Sequence, residues 1–165
     1  MVNERVIDMT LEERVMAALQ TVKDPEIPSI SVVDLGIVYE VRTIGLHVEI
    51  DAMPTFSGCP ALDIMKRDMT LAVEDIQEVK SVTVTYIRNP IWTTDRVSEK
   101  GRLELKEYGI APPEAHDGNE WRVPCPYCGS VYTTLDNIFG PAACRSILYC
   151  KSCKNPFEAM KPVSI

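Results

Sequence analysis

Four of the chain's six cysteines stand as two C-x-x-C pairs, Cys125-Pro126-Tyr127-Cys128-Gly129 and Cys150-Lys151-Ser152-Cys153, with twenty-one residues between them. Each pair presents two thiolates from one tight turn, and Gly129 permits the close backbone approach that completes the first knuckle. Four thiolates match a closed tetrahedral Zn²⁺ site, with iron in a rubredoxin-like site as the alternative that sulfur ligands alone leave open. Such a site is structural, because it keeps no coordination position for a substrate. The metal would contribute on the order of 10 kcal/mol or more to a segment too small to fold on its own core. A thioredoxin-like redox pair is disfavoured, since neither pair lies in a βαβ pattern.

The other two cysteines are Cys59 and Cys144. Cys59 lies in Thr55-Phe56-Ser57-Gly58-Cys59-Pro60, which leaves a strand, crosses a turn and opens a helix expected over residues 60–78. In a first helical turn the unpaired backbone N–H groups favour a thiolate over a thiol. Pro60 is tolerated there because its missing N–H would lack a helical partner anyway. On local physics alone a single cysteine reads as a small packed thiol. As a metal ligand it would form an open, transient site. Cys144 sits in Phe139-Gly140-Pro141-Ala142-Ala143-Cys144-Arg145-Ser146 as the fifth cysteine of the C-terminal module, and fits either a buried thiol or an alternate ligand.

Carboxylates supply the third group of potential ligands. Asp24, Glu26 and Asp34 fall in a loop-like segment with two prolines, Asp24-Pro25-Glu26-Ile27-Pro28 leading to Val33-Asp34-Leu35-Gly36. Turn chemistry accounts for the same residues, with Asp34 capping a local turn ahead of Gly36.

The elements that must position these groups follow from periodicity. Thr10-Leu11-Glu12-Glu13 has the form of a capping box, and Leu11, Val15, Ala18, Leu19 and Val22 continue at helical spacing until Asp24-Pro25. Residues 37–42 read as a strand with Ile37, Tyr39 and Val41 on one face, and residues 43–45 as a turn. Leu46, Val48, Ile50 and Ala52 then alternate with His47, Glu49 and Asp51, a half-buried strand with His47 on its polar side. Leu62, Met65, Met69, Ala72, Val73 and Ile76 make a helical stripe, and Val82, Val84 and Tyr86 a third strand. Helix, strand, strand, helix, strand is an α+β order in which two helices cover a small mixed sheet. Beyond Asn89-Pro90, a helix capped by Thr94 or Asp95 is expected to weaken near Gly101, and residues 109–119, with His116, read as a linker. The organisation expected is an α+β domain over residues 1–90, a helical extension and linker over 91–118, and a four-cysteine zinc ribbon over 119–165.

Charge agrees with two modules. Residues 119–165 hold five basic and three acidic residues, +2, which leaves −9 for residues 1–118 of the chain's −7 in total. That balance argues against a nucleic-acid protein held through phosphates. No apolar run approaches the roughly 18 residues of a membrane span, and the N-terminus is charged, so a cytoplasmic protein is expected.

Taken together, Asp24-Pro25-Glu26-Ile27-Pro28, Val33-Asp34-Leu35-Gly36 and Thr55-Phe56-Ser57-Gly58-Cys59-Pro60 resemble the SufT-type iron–sulfur cluster assembly domain family over about residues 10–90. With Trp92-Thr93-Thr94-Asp95, Tyr108-Gly109-Ile110-Ala111-Pro112-Pro113, the cysteine pairs, Phe139-Gly140-Pro141 and Pro156-Phe157-Glu158, nearly the whole chain is similar to the PaaD family of the phenylacetyl-CoA epoxidase system. The resemblance implies a non-enzymatic accessory protein that assists iron or iron–sulfur cluster assembly in oxygenase or reductase partner subunits. It places the functional cysteine on Cys59 and the acidic loop on Asp24, Glu26 and Asp34. A docking subunit with no metal-delivery role is the alternative, and a homo-oligomer is compatible with either. The residues support this division of labour. Neither histidine follows a glutamate in the Glu-x-x-His spacing of a di-iron bundle. Dinucleotide glycine loops and plant-type ferredoxin spacing are absent as well.

Overall fold

The computed structural model describes residues 9–112 and 123–161. His116 lies outside the described residues. The elements run α1 (Leu11–Leu19), β1 (Val38–Ile44), β2 (His47–Ala52), α2 (Leu62–Glu74), β3 (Ser81–Tyr86), α3 (Glu99–Tyr108), β4 (Ile110–Ala111), β5 (Thr133–Asn137), β6 (Arg145–Cys150) and β7 (Pro156–Met160). No helix among the described residues is long and apolar enough to cross a membrane.

The α+β order expected for the first half is the order observed. The capping box forms as its sequence predicts: Glu13 N donates to Thr10 Oγ1 at 3.2 Å and Thr10 N to Glu13 Oε2 at 2.7 Å. In the first sheet, β2 pairs antiparallel with β1 and parallel with β3. Val48, Ile50 and Ala52 of β2 are fully buried, in one core with Val15 and Leu19 of α1 and Met65, Met69 and Val73 of α2. The opposite face is ionic, with Arg42 bridging Glu40 at 2.6 Å, Asp51 at 2.7 Å and Glu49 at 3.3 Å.

Three local expectations are corrected. Strand β1 starts later and runs on through Thr43 and Ile44, expected as turn, because the chain reverses only at Gly45 (φ 62°). A register shift between Val38 and Glu40 breaks the alternation, so Tyr39 is 43% exposed although Ile37 is buried. Helix α3 is capped by Ser98, whose Oγ accepts from Gly101 N at 2.9 Å, and passes through Gly101 unbroken. The glycine serves packing: a Cβ there would stand 2.6 Å from the Asp34 carbonyl oxygen, so α3 lies directly on the acidic loop.

The second sheet has the order β4-β7-β6-β5. Ile110–Ala111, read as linker from its composition, is its edge strand and pairs in parallel with β7. Composition could not show this, because the partner lies far along the chain. This sheet carries a small core of its own, Ala111, Val123, Cys125, Leu148, Cys150, Phe157 and Ala159. Ala142, Cys144 and Met160 pack instead into the core of the first sheet.

Candidate metal centre

The two cysteine turns of the second sheet are built alike. Gly129 N donates to Cys125 O at 2.8 Å, and Lys154 N to Cys150 O at 2.9 Å. The residue after each second cysteine is left-handed, Gly129 at φ 74° and Lys154 at φ 62°. Gly129 announces this conformation in the sequence, whereas Lys154 gives no such signal. Cys153 N also donates to Cys150 Sγ at 3.5 Å, and Ser130 and Ser152 join the two turns through their hydroxyls at 2.7 Å.

These turns bring four sulfurs together. Cys125 and Cys153 Sγ are 3.7 Å apart, Cys128 and Cys150 Sγ 3.6 Å apart, and all four lie within 4.8 Å of one another. A tetrahedral ion with metal–sulfur bonds of about 2.3 Å needs sulfurs separated by roughly 3.8 Å, so the set fits Zn²⁺. Burial pushes Cys125 up to about 11, while hydrogen bonding from Asn155 brings Cys153 down to about 6.

Cys59 is placed differently from its sequence expectation. Helix α2 begins at Leu62, so Cys59 belongs to the preceding turn, with its N–H on Phe56 O at 3.2 Å and its carbonyl accepting from Leu62 N at 3.3 Å. Its thiol is half-buried and raised, not lowered. Burial is the larger cause, the Ala61 N–H opposes it, and the charges of Glu26 and Asp24 push the same way as burial. One amide hydrogen bond is too weak to offset lost solvation and the charges of two carboxylates.

The acidic loop divides in two. Asp24 is 7% exposed; its Oδ1 accepts from Glu26 N at 2.7 Å and Ile27 N at 3.0 Å, and Oδ2 has no hydrogen bond among the described residues. Burial raises its carboxyl despite those amides and the charge of Arg145. Asp34, also 7% exposed, accepts from Ser98 Oγ at 2.7 Å, Ser31 Oγ at 2.9 Å, Lys100 Nζ at 3.4 Å and the Gln20 amide. Burial alone would raise it, but these donors hold it below the ordinary carboxylate range. Asp24 and Glu26 therefore stand with Cys59, whereas Asp34 ties the loop to α1 and α3.

Two further residues join this neighbourhood. Tyr86 donates to Leu62 O at 2.9 Å and is raised by burial and by the charges of Cys59, Asp63 and Asp24. Arg145 of the second sheet acts on Asp24 through its charge, while its Nη1 donates to Glu158 at 2.6 Å. Tyr86 carries no sequence signal beyond its place in a strand, and Arg145 is signalled only as the chain neighbour of Cys144, where its charge could favour a thiolate. His47 is on the open face of the first sheet, bonded to Ser81 Oγ at 2.6 Å, and is no base for Cys59.

Residues 12–85 match the family model of iron–sulfur cluster assembly proteins, and residues 110–161 that of the PaaD zinc beta ribbon domain. Over 153 residues the chain is 37% identical to an Escherichia coli (strain K12) protein named as one of the subunits of 1,2-phenylacetyl-CoA epoxidase, covering 89% of this chain and 90% of that one. The chain belongs to the PaaD family. Its PaaD-type ribbon follows a segment with wider kinship. An "Fe-S protein maturation auxiliary factor" of Porphyromonas gingivalis (strain ATCC BAA-308 / W83) is 38% identical over 96 residues, 57% of this chain and 90% of the relative. A crystal structure of the domain of unknown function DUF59 from Bacillus anthracis superposes with a TM-score of 0.55 at 29% identity, covering 58% of this chain and 91% of that one. The ribbon tail is thus what this PaaD-family chain adds to that domain.

Proposed function

We propose that this chain is a non-catalytic accessory factor of a phenylacetyl-CoA epoxidase system, acting in the cytoplasm. It carries iron or an iron–sulfur cluster, as cargo, to an oxygenase or reductase subunit. Cys59 is the transfer ligand, Asp24 and Glu26 assist it, and Asp34 fixes the loop that presents them. Residues 1–90 form the assembly-like unit, residues 91–118 the helical extension and linker, and residues 119–165 the ribbon, to whose sheet Ile110–Ala111 is lent. Cys125, Cys128, Cys150 and Cys153 hold a structural Zn²⁺.

What supports this reading is the match of residues 12–85 to iron–sulfur cluster assembly proteins, together with a half-buried Cys59 thiol on which the charges of Glu26 and Asp24 act. Oxygen and sulfur donors together suit ferrous iron, and one thiolate leaves coordination positions for a recipient. Cys59 sheds its proton when metal binds and regains it on release. A thiol that favours protonation is suited to handing its cargo on.

The test is metallation of the partner. Cys59→Ser should keep the fold and the ribbon zinc, yet yield an oxygenase or reductase deficient in iron when co-produced. Fully metallated partner from that variant would sink the delivery role.

Exposed apolar side chains on the ribbon favour a second reading, a docking subunit without metal delivery. Tyr127, Val131, Tyr132 and Phe139 are 59%, 68%, 62% and 73% exposed. It expects stable co-purification with the epoxidase and indifference to Cys59→Ser. Partner binding that survives removal of zinc would count against it.

A further inference from the structure

Helix α3 and the first cysteine turn border a common cavity of about 270 Å³. Arg102 and Lys106 line it from the helix, and Ala111, Pro112, Pro124 and Pro126 line it beside the cysteine turn. The ribbon wall is fixed by backbone bonds. Cys125 N donates to Ser130 O at 2.9 Å, Gly129 N donates to Cys125 O at 2.8 Å, and β4 pairs with β7. Ala111 is 1% exposed and belongs to the ribbon's own core. The three prolines bring no N–H groups, so this wall offers a ligand mainly apolar surface.

The helix wall is cationic. Arg102 and Lys106 stand four residues apart in α3 and so share one side of it. Arg102 Nη2 donates to Thr94 O at 2.8 Å, which holds the guanidinium against a residue that is 4% exposed. Lys106 is exposed, and its ammonium has no hydrogen bond or ion pair among the described residues. The described lining residues include no carboxylate, although the chain as a whole carries −7. Like charges at this helical spacing repel, and an anion bound between them relieves the repulsion. The planar guanidinium fork matches the paired oxygens of a carboxylate or phosphate, and the ammonium adds a point charge.

We propose that this cavity binds a small organic oxyanion, a carboxylate or a phosphate monoester carried on an apolar body. Arg102 and Lys106 hold the head group, and Ala111 and the three prolines pack against the body. The cavity lies near the lower end of the roughly 300–1,000 Å³ range of ligand pockets, so the occupant is a small molecule. Because its walls come from α3 and from the ribbon, an occupant ties the helix to the first cysteine turn. The site needs no metal of its own and stands independently of the delivery reading.

The probes are benzoate, phenyl phosphate and neutral benzamide, titrated into the zinc-loaded full-length chain at fixed ionic strength and followed by amide chemical shifts. At least one of the two anions should saturate, with shifts centred on α3, Ala111 and Gly129, and the tighter one identifies the head group. Benzamide should bind at least tenfold more weakly. Lys106→Gln should weaken the anion about tenfold, as loss of one charge-assisted hydrogen bond does. Arg102→Gln should weaken it at least as much, but it also loses the bond to Thr94, so the exposed Lys106 carries the test. Equal affinity for benzamide would reduce the site to an apolar cleft and overturn the proposal, and so would anion binding unchanged in Lys106→Gln. Failure of both anions to saturate overturns it too; zinc loss from Lys106→Gln in that case would assign the cations to balancing the ribbon thiolates.

Discussion

In the ribbon, each pair of thiols is positioned by one short turn, and two turns complete the set of four. At Cys59 the surroundings come from a turn before α2 and, through their charges, from the loop at Asp24 and Glu26. The first arrangement offers four sulfurs within 4.8 Å of one another, enough to enclose an ion; the second offers one half-buried thiol, outside any three-ligand group among the described residues. What differs is how many donors the fold itself assembles.

Asp24 and Asp34 repeat that contrast in one loop. They are equally buried, yet Asp34 is surrounded by donors and Asp24 keeps an oxygen without one among the described residues. A satisfied buried carboxylate stabilises the fold. One that is raised by burial costs stability unless a ligand uses it.

The contrast can be broken most visibly at the ribbon. Cys125→Ser or Cys150→Ser should abolish tight zinc binding and unfold the β5–β7 segment, a loss on the order of 10 kcal/mol of metal-linked stability. Zinc analysis and amide hydrogen exchange would show it; protected β6 amides in the zinc-free variant would contradict the closed-site account. Next in size, Asp34→Ala should destabilise the first module by about 3 kcal/mol in denaturant, since it orphans several buried donors. The sign with pH is fixed: a lowered carboxyl stabilises above its unfolded value and loses that contribution as pH falls through its folded value. The stability gap between wild type and Asp34→Asn should therefore close below about pH 4, in paired unfolding curves.

Smaller effects separate the open site from the structural one. Cys59→Ser should change stability by less than about 1 kcal/mol, because the thiol is only half-buried and the serine hydroxyl can still accept from the Ala61 N–H. A thermal shift of many degrees would move Cys59 into the structural class. Asp24→Asn should be smallest, leaving stability at pH 7 equal or slightly raised. Here the carboxyl is raised, so its contribution is present below the unfolded value and lost as pH rises through the folded one. The asparagine oxygen can still accept from Glu26 and Ile27 amides. Clear destabilisation at pH 7 would show that Asp24 is a second Asp34.

Much of the fold was legible because its signals are local: the capping box at Thr10, the alternation in β2, the stripe of α2 and the two cysteine turns. The misread places share a cause. Gly101 looks like a helix breaker until α3 is seen lying against the Asp34 carbonyl, and Ile110–Ala111 looks like linker until β7 is beside it. Amides a few residues away from Cys59 suggest a thiol that ionises more easily. Its burial beside Asp24 and Glu26 outweighs them, and that burial is a property of the packed loop.

Four thiols able to meet around one ion are legible in the chain, since two residues of spacing within each pair is enough for a turn to bring them together. Cys59 and the acidic loop are marked there by motif as well. Which carboxylates act on Cys59, and that Cys144 packs into the core of the first sheet, follow from the packed fold alone. Those neighbours are far apart along the chain, and packing of the whole core, with no local pattern, brings them together.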